Sequence, residues 1–186
     1  MAVLDTIFSQ NLVGWYDKFK EKQNPMSEYK FDNLLLQYVT GARPRRGVDW
    51  QMCHSIYVPL NLGNLHWVAL EIDLENCFIN VLGSNLACFK DKKFEEYMAP
   101  FQLMLPLLLH QSGNFSHLRP QLEQPWQFLR LRNLPKNSNG GDCGIYTIKF
   151  IEFKAAKIDL EVVGDDLVNF FREKYAVDIY DNKLEP

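Results

Sequence analysis

Three apolar runs in quick succession constrain this chain more than any other feature. Between residues 55 and 84 it reads SIYVPLNL, HWVALEID and CFINVLGS, rich in β-branched and aromatic residues and separated by turn-forming stretches. In HWVALEID, Trp67, Ala69 and Glu71 alternate with Val68, Leu70 and Ile72, the two-residue period of a strand with two different faces. DLEN (Asp73–Asn76) reads as a tight hairpin turn between the second and third runs. Pro59 limits the regular pairing of the first run, because proline has no N–H to give a ladder.

Helix-period patterns flank this block. VLDTIFSQNLVGWYDKFKEK sets Leu4, Ile7, Phe8, Leu12, Trp15, Tyr16 and Phe19 near helical spacing, and Asn24–Pro25 stops it. YKFDNLLLQYVTG predicts a second helix with Gly41 as its C-cap, followed by the loop ARPRRGVDW. After the strands, KDKKFEEYMAPFQLMLPLLLHQ predicts a helix with a break near Pro100 or Pro106. WQFLRLRNL predicts another strand, a helix starts at Asp142–Cys143 and runs through GIYTIKFIEFKAAK, and a last helix covers GDDLVNFFREKYAVDIY. Helices, a strand block and more helices make an α+β chain rather than a βαβ alternation. At 186 residues it fits one domain, 1–186.

With 47% hydrophobic and 13% aromatic residues, a real core can form. The net charge of -3 gives no broad pull toward nucleic acid or an anionic membrane, so neither is expected as a partner. The basic run at Arg43, Arg45 and Arg46 reads either as a solvated loop or as a contact for an acidic partner. Cys53, Cys77, Cys88 and Cys143 form no CxxC pair, so zinc is not implied, nor is any other metal or organic cofactor. The opening residues lack a signal-peptide pattern, and no apolar run reaches membrane length. These features predict free thiols in a reducing, intracellular compartment.

One thiol sits in a chemically suggestive place. In NSNGGDCGIYTIKFIEF, Cys143 opens an apolar helix, where unpaired N–H groups and the helix dipole favour anionic sulfur. The glycines before it let the backbone turn sharply and approach a substrate carbonyl. A nucleophile and a small buried core cysteine are both open readings. A thiol nucleophile needs an imidazole, and His54, His66, His110 and His117 are available. His66 stands where the loop NLGNL becomes a strand; His54 lies near the start of the preceding strand, and the other two lie in a loop-rich region. Any of them alone is more often a surface or satisfied core histidine.

Taken together, HWVALEID and GDCGIYTIKFIE resemble the ubiquitin-like-protein-specific protease family, the SUMO-protease-like cysteine peptidases, over residues 50 to 180. IYVPLNLGNLHWVALEIDL is similar to the plant members in particular, many of them encoded by transposable elements. The resemblance implies an α+β, papain-like cysteine-peptidase fold of the adenain/SUMO-protease type, with a central mixed sheet flanked by helices. It implies cleavage after the terminal Gly-Gly of a ubiquitin-like modifier, so that a SUMO-like protein and its conjugates are the expected partners, in nucleus or cytoplasm. His66 matches the general base and Cys143 the nucleophile. Trp67 matches the tryptophan over the Gly-Gly channel, where a flat ring admits glycine and excludes side chains; a packing aromatic is the other reading of it. Asp142 and Gly144, flanking the cysteine, complete the expected substrate contacts.

The chain departs from the family at three places. The aspartate that orients the imidazole falls on Gly83, followed by Ser84. Asp73 ends the His66 strand on the hairpin side, Asn80 lies too far back, and Asn85 or a water is left as a weaker partner. The oxyanion glutamine falls on Asn137, beside Lys136; Asn137 keeps an amide donor on a shorter side chain. The opening Trp-Leu-Asn-Asp-like helix is not visible: either FDNLLLQYVTG stands in its place or the chain begins after it. Three functional expectations result: a cysteine peptidase or isopeptidase, a degenerate relative that binds a modifier with little turnover, and a thiol acyltransferase.

Overall fold

A computed structural model describes residues 1–115 and 124–181; His117 and the side chain of Cys88 lie outside the described part. Five strands form one sheet in the order β1-β2-β3-β4-β5: β1 Ala2–Val3, β2 Ser55–Leu62, β3 His66–Asp73, β4 Phe78–Leu82 and β5 Gln127–Arg130. β2, β3 and β4 are antiparallel neighbours, while β1 and β5 join the two edges in parallel, so the sheet is mixed. Among the described residues the α-helices are α1 Thr6–Gly14, α2 Tyr16–Lys20, α3 Pro25–Glu28, α4 Asn33–Val39, α5 Asp91–Ser112, α6 Cys143–Ala156 and α7 Val168–Tyr180.

Strand alternation decides what packs where. Val68, Leu70 and Ile72 join one large buried cluster with residues of α1, α4 and α5. Ala69, Tyr57 and Leu82 face the other way, against Tyr146, Phe150 and Phe171 of α6 and α7. Glu71, on this second face, is buried and satisfied: Tyr57 Oη donates to it at 2.9 Å, Asn80 Nδ2 at 3.2 Å and Lys154 Nζ at 2.9 Å. Pro59 is accommodated because its backbone points away from β3. Its carbonyl accepts Ser9 Oγ at 2.9 Å, and β1 pairs only with Ile56 and Tyr57.

Four sequence expectations need correction. The first predicted helix instead opens with a strand, β1, and begins after Asp5, whose carboxylate caps Phe8 N–H at 3.1 Å; it then breaks at Trp15 into α1 and α2. The second begins later than predicted, at Asn33. Tyr29 to Phe31 stay outside it because Gln111 accepts Phe31 N–H at 3.0 Å and donates to Tyr29 O at 2.7 Å. Helix α5 has no break: Pro100 and Pro106 both lie inside it. Each proline costs about 3 kcal/mol in a helix, but Phe94, Met98, Phe101, Met104, Leu105 and Leu108 are fully buried along it, each worth about 1.5–3 kcal/mol. The last strand is shorter than predicted, Gln127–Arg130, because it pairs only with residues 78–81 of β4.

Candidate active site

The antiparallel pairing of β3 and β4, with Ala69 opposite Leu82, brings the start of β3 and the end of β4 to one end of the sheet. The N-terminus of α6 arrives at the same end. Cys143, 8% exposed, accepts a hydrogen bond on Sγ from the backbone N–H of Trp67 at 3.4 Å, across 76 residues of chain. The candidate thiol is thus placed against the His66–Trp67 junction. Gly141 stands at φ 97, a left-handed geometry that glycine adopts without strain, and turns the chain into the helix.

His66 is 8% exposed, its ring 6.2 Å from that of Phe89. Burial pushes its pKa below the ordinary imidazole value, so it is neutral at pH 7. Among the described residues its buried Nε2 has no hydrogen-bond partner. Gly83 is the position at which an orienting acid is expected. Gly83 is buried and has no side chain, and a Cβ built on it would lie 2.4 Å from Leu86 Cδ2 and 3.0 Å from Val68 Cγ1. Leu86 occupies the space a carboxylate would need. Asp73, at the hairpin end, binds Glu75 N–H and Asn76, and Asn80 is bound to Glu71. His54 pairs with Glu75 at that far end, and His110 is exposed at the end of α5, so neither joins the site.

Trp67 is half-buried, belongs to neither core cluster and lies beside Gly144, where a Cβ would meet Trp67 Cδ1 at 3.8 Å. Asn137 is half-buried in the loop before α6. Its N–H donates to Ser84 O at 3.1 Å, and its Oδ1 accepts Asn139 N–H at 2.8 Å, which leaves the Nδ2 end of the amide as the donor. The same loop is held from behind. Tyr146 Oη donates to Lys136 O at 3.2 Å and also to Asp165, which accepts Ser138 N–H at 3.1 Å. Hydrogen bonds from Ser138 and then Tyr146 keep the Asp165 carboxyl below the usual range. Asp142 has its carboxylate turned to Arg172 of α7.

Sequence reasoning missed Leu86, Phe89, Tyr146, Asp165 and Arg172. These residues act through packing and hydrogen bonds between distant segments, and no local pattern marks them. Beside the site, a cavity of about 650 Å³ lies between the end of β4 and β5, lined by Gly83, Leu86, Phe128, Arg130 and Lys136 but by neither Cys143 nor His66. Among the described residues no helix is long and apolar enough to cross a membrane.

The Ulp1 protease family, C-terminal catalytic domain, matches residues 1–185. The likeness therefore starts at the first residue and takes in α1 and α4, beyond the stretch 50–180 that carries the motifs. Ubiquitin-like-specific protease 1A of Arabidopsis thaliana is 26% identical over 148 residues; this is 76% of the chain and 26% of that relative, so the chain spans about a quarter of the relative's length. Two solved structures share the fold. The SUMO protease Ulp1 with its catalytic cysteine oxidized to a sulfonic acid has a TM-score of 0.60 at 18% identity, covering 96% of this chain and 76% of the other. The C-terminal Ulp1 protease domain in complex with Smt3, the yeast ortholog of SUMO, has a TM-score of 0.58 at 20% identity, covering 95% and 77%. With the family's catalytic domain matched over nearly every residue and its fold reproduced, the chain belongs to the Ulp1 protease family.

Proposed function

We propose that this chain is an intracellular cysteine-type peptidase or isopeptidase that cleaves after the C-terminal Gly-Gly of a SUMO-like modifier. The hydrogen bond from Trp67 N–H to Cys143 Sγ carries the reading, because it joins the two motifs at one point. Neutral His66 takes the thiol proton as sulfur attacks the glycyl carbonyl, so an S–C bond forms and the oxygen becomes an oxyanion. Cys143 N–H and Asn137 Nδ2 are the donors proposed for that oxygen. The C–N bond then breaks, and the amine leaves with the proton from His66. Water, deprotonated by His66, attacks the thioester and frees both the modifier and the thiol. Trp67, against Gly144, is the proposed lid over the diglycine, and Asp142 and Gly144 flank its path. The likeness to plant transposon-type members rests on IYVPLNLGNLHWVALEIDL and stays part of the proposal.

One observation favours a second reading, a modifier-binding relative with little turnover. Among the described residues His66 Nε2 is buried without a partner, and Leu86 crowds Gly83, where the acid is expected. In a serine triad, a lost orienting acid costs about 10⁴ in rate. Intact mass after incubation with ubiquitin-like modifiers bearing thiol-reactive C-terminal warheads separates the readings. A covalent adduct with one modifier, absent in Cys143→Ala, supports the peptidase. A folded protein that binds a modifier and forms no adduct supports the silent relative.

A further inference from the structure

The carboxylate beside the candidate nucleophile does not cap its own helix. Asp142 is the N-cap residue of α6, but its backbone is already helical (φ -89, ψ -4) rather than extended, so its side chain accepts no N–H of the first turn. It is turned instead to Arg172. Arg172 Nε donates to Asp142 Oδ1 at 3.1 Å, Nη2 makes a second, shorter contact with the same oxygen, and Nη2 also donates to Gly141 O at 3.2 Å. One guanidinium thus holds both residues that precede Cys143.

Arg172 is itself held in place. Lys149 of α6, 5% exposed, pairs with Glu152 at 2.7 Å and lies over the rings of Phe171 and Tyr175 at 4.3 and 4.6 Å. Tyr175 Oη donates to Glu152 at 2.7 Å. Phe171 and Tyr175, one turn apart, thereby dock α7 on α6, and Arg172 stands between them in sequence at the Asp142 end of the contact.

Without the guanidinium, the Gly141–Asp142 turn loses its anchor and the Asp142 carboxylate loses its counter-charge. That would leave an unpaired negative charge beside the helix end where a thiolate or an oxyanion must form. We infer that Arg172 is a positioning residue that anchors the Gly141–Asp142 turn and neutralises the Asp142 carboxylate, which keeps the N-terminus of α6 favourable for an anionic Cys143 sulfur. The inference rests on the proposed thiol chemistry, and Arg172 acts through Asp142 and Gly141 rather than on the reacting atoms.

The test compares wild type, Arg172→Met, Arg172→Lys and Arg172→Met/Asp142→Ala. The readouts are the rate of Cys143 alkylation by iodoacetamide, which needs no modifier, kcat and KM on a modifier substrate, and thermal melting. Arg172→Met should slow alkylation several-fold and lower kcat by about 10–10²-fold, with KM within about threefold. Its melting temperature should stay within about 3 °C, because the ion pair is partly exposed. Lysine should restore part of the rate, and removing the carboxylate in the double variant should restore most of the alkylation rate. Wild-type alkylation in Arg172→Met overturns the inference, as does a double variant no faster than the single. A wild type that cleaves no modifier yet shows this alkylation pattern sinks the proposed function and supports the role of Arg172.

Discussion

Placing aspartate at position 83 is the most direct test of how the site orients its imidazole. Val68 and Gly83 follow Ala69 and Leu82 in the β3–β4 ladder, and the 3.0 Å approach of a Gly83 Cβ to Val68 Cγ1 puts them on one face. His66, two residues before Val68, shares that face. The backbone of Gly83 does not have positive φ, so the obstacle is steric. A Cβ would sit 2.4 Å from Leu86 Cδ2, when carbon contacts are comfortable from about 3.5 Å, so Leu86 must yield by about an ångström. Overpacking of this kind costs about 1–3 kcal/mol. Gly83→Asp alone should therefore lose stability and gain little rate. Adding Leu86→Ala removes the obstruction at about 2 kcal/mol, since Leu86 is only half-buried. The carboxylate can then accept a hydrogen bond from His66 Nε2, which has no partner among the described residues. The double variant should turn over a modifier substrate about 10–10²-fold faster than the parent, short of the 10⁴ seen in serine triads because a thiol ionises more readily. The His66 pKa, lowered now by burial, should rise in an NMR titration, because a neighbouring carboxylate favours imidazolium. Leu86→Ala alone should show neither effect. A folded double variant with parental kcat and an unmoved His66 titration would refute the assignment of position 83.

Further expectations follow from the same geometry. Asn137→Ala should cut kcat by about 10²-fold through loss of one oxyanion donor, measured by single-turnover hydrolysis; an unchanged rate excludes its amide from that role. His66 is buried neutral with a pKa below 6.5, so the unfolded chain binds more protons between that lowered value and 6.5. Stability should thus fall as pH drops through 6.5, and urea midpoints of His66→Gln should fall less over this range than those of wild type. Glu71→Ala strands Tyr57 Oη and Lys154 Nζ and should cost about 3 kcal/mol in urea unfolding; a loss under about 1 kcal/mol would mean the network relaxes onto water.

Elements whose fate is decided by their own residues were legible. The alternation in HWVALEID gave both the strand His66–Asp73 and the division of its faces between the two cores. The start of α6 at Cys143 was readable because two glycines and an aspartate precede an apolar helical pattern. Elements decided by partners were not. Ala2–Val3 becomes a strand only because Ile56 and Tyr57 offer an edge, and Gln111 keeps Tyr29–Phe31 extended from 80 residues away. The two prolines of α5 forecast a break, but burial along the helix outweighs them.

The same division runs through the candidate site. Local sequence determined its reactive parts: a cysteine opening a helix, a histidine opening a strand, a tryptophan beside it, and a glycine where an acid was expected. These depend on side-chain type and on neighbours a few residues away. Tertiary structure alone decided how the parts are held. The Trp67 N–H meets Cys143 Sγ, Leu86 closes the space beside Gly83, Asp165 and Tyr146 brace the Asn137 loop, and Arg172 takes hold of Asp142. Such contacts depend on the close packing of segments far apart in the chain, which no periodicity or short motif encodes.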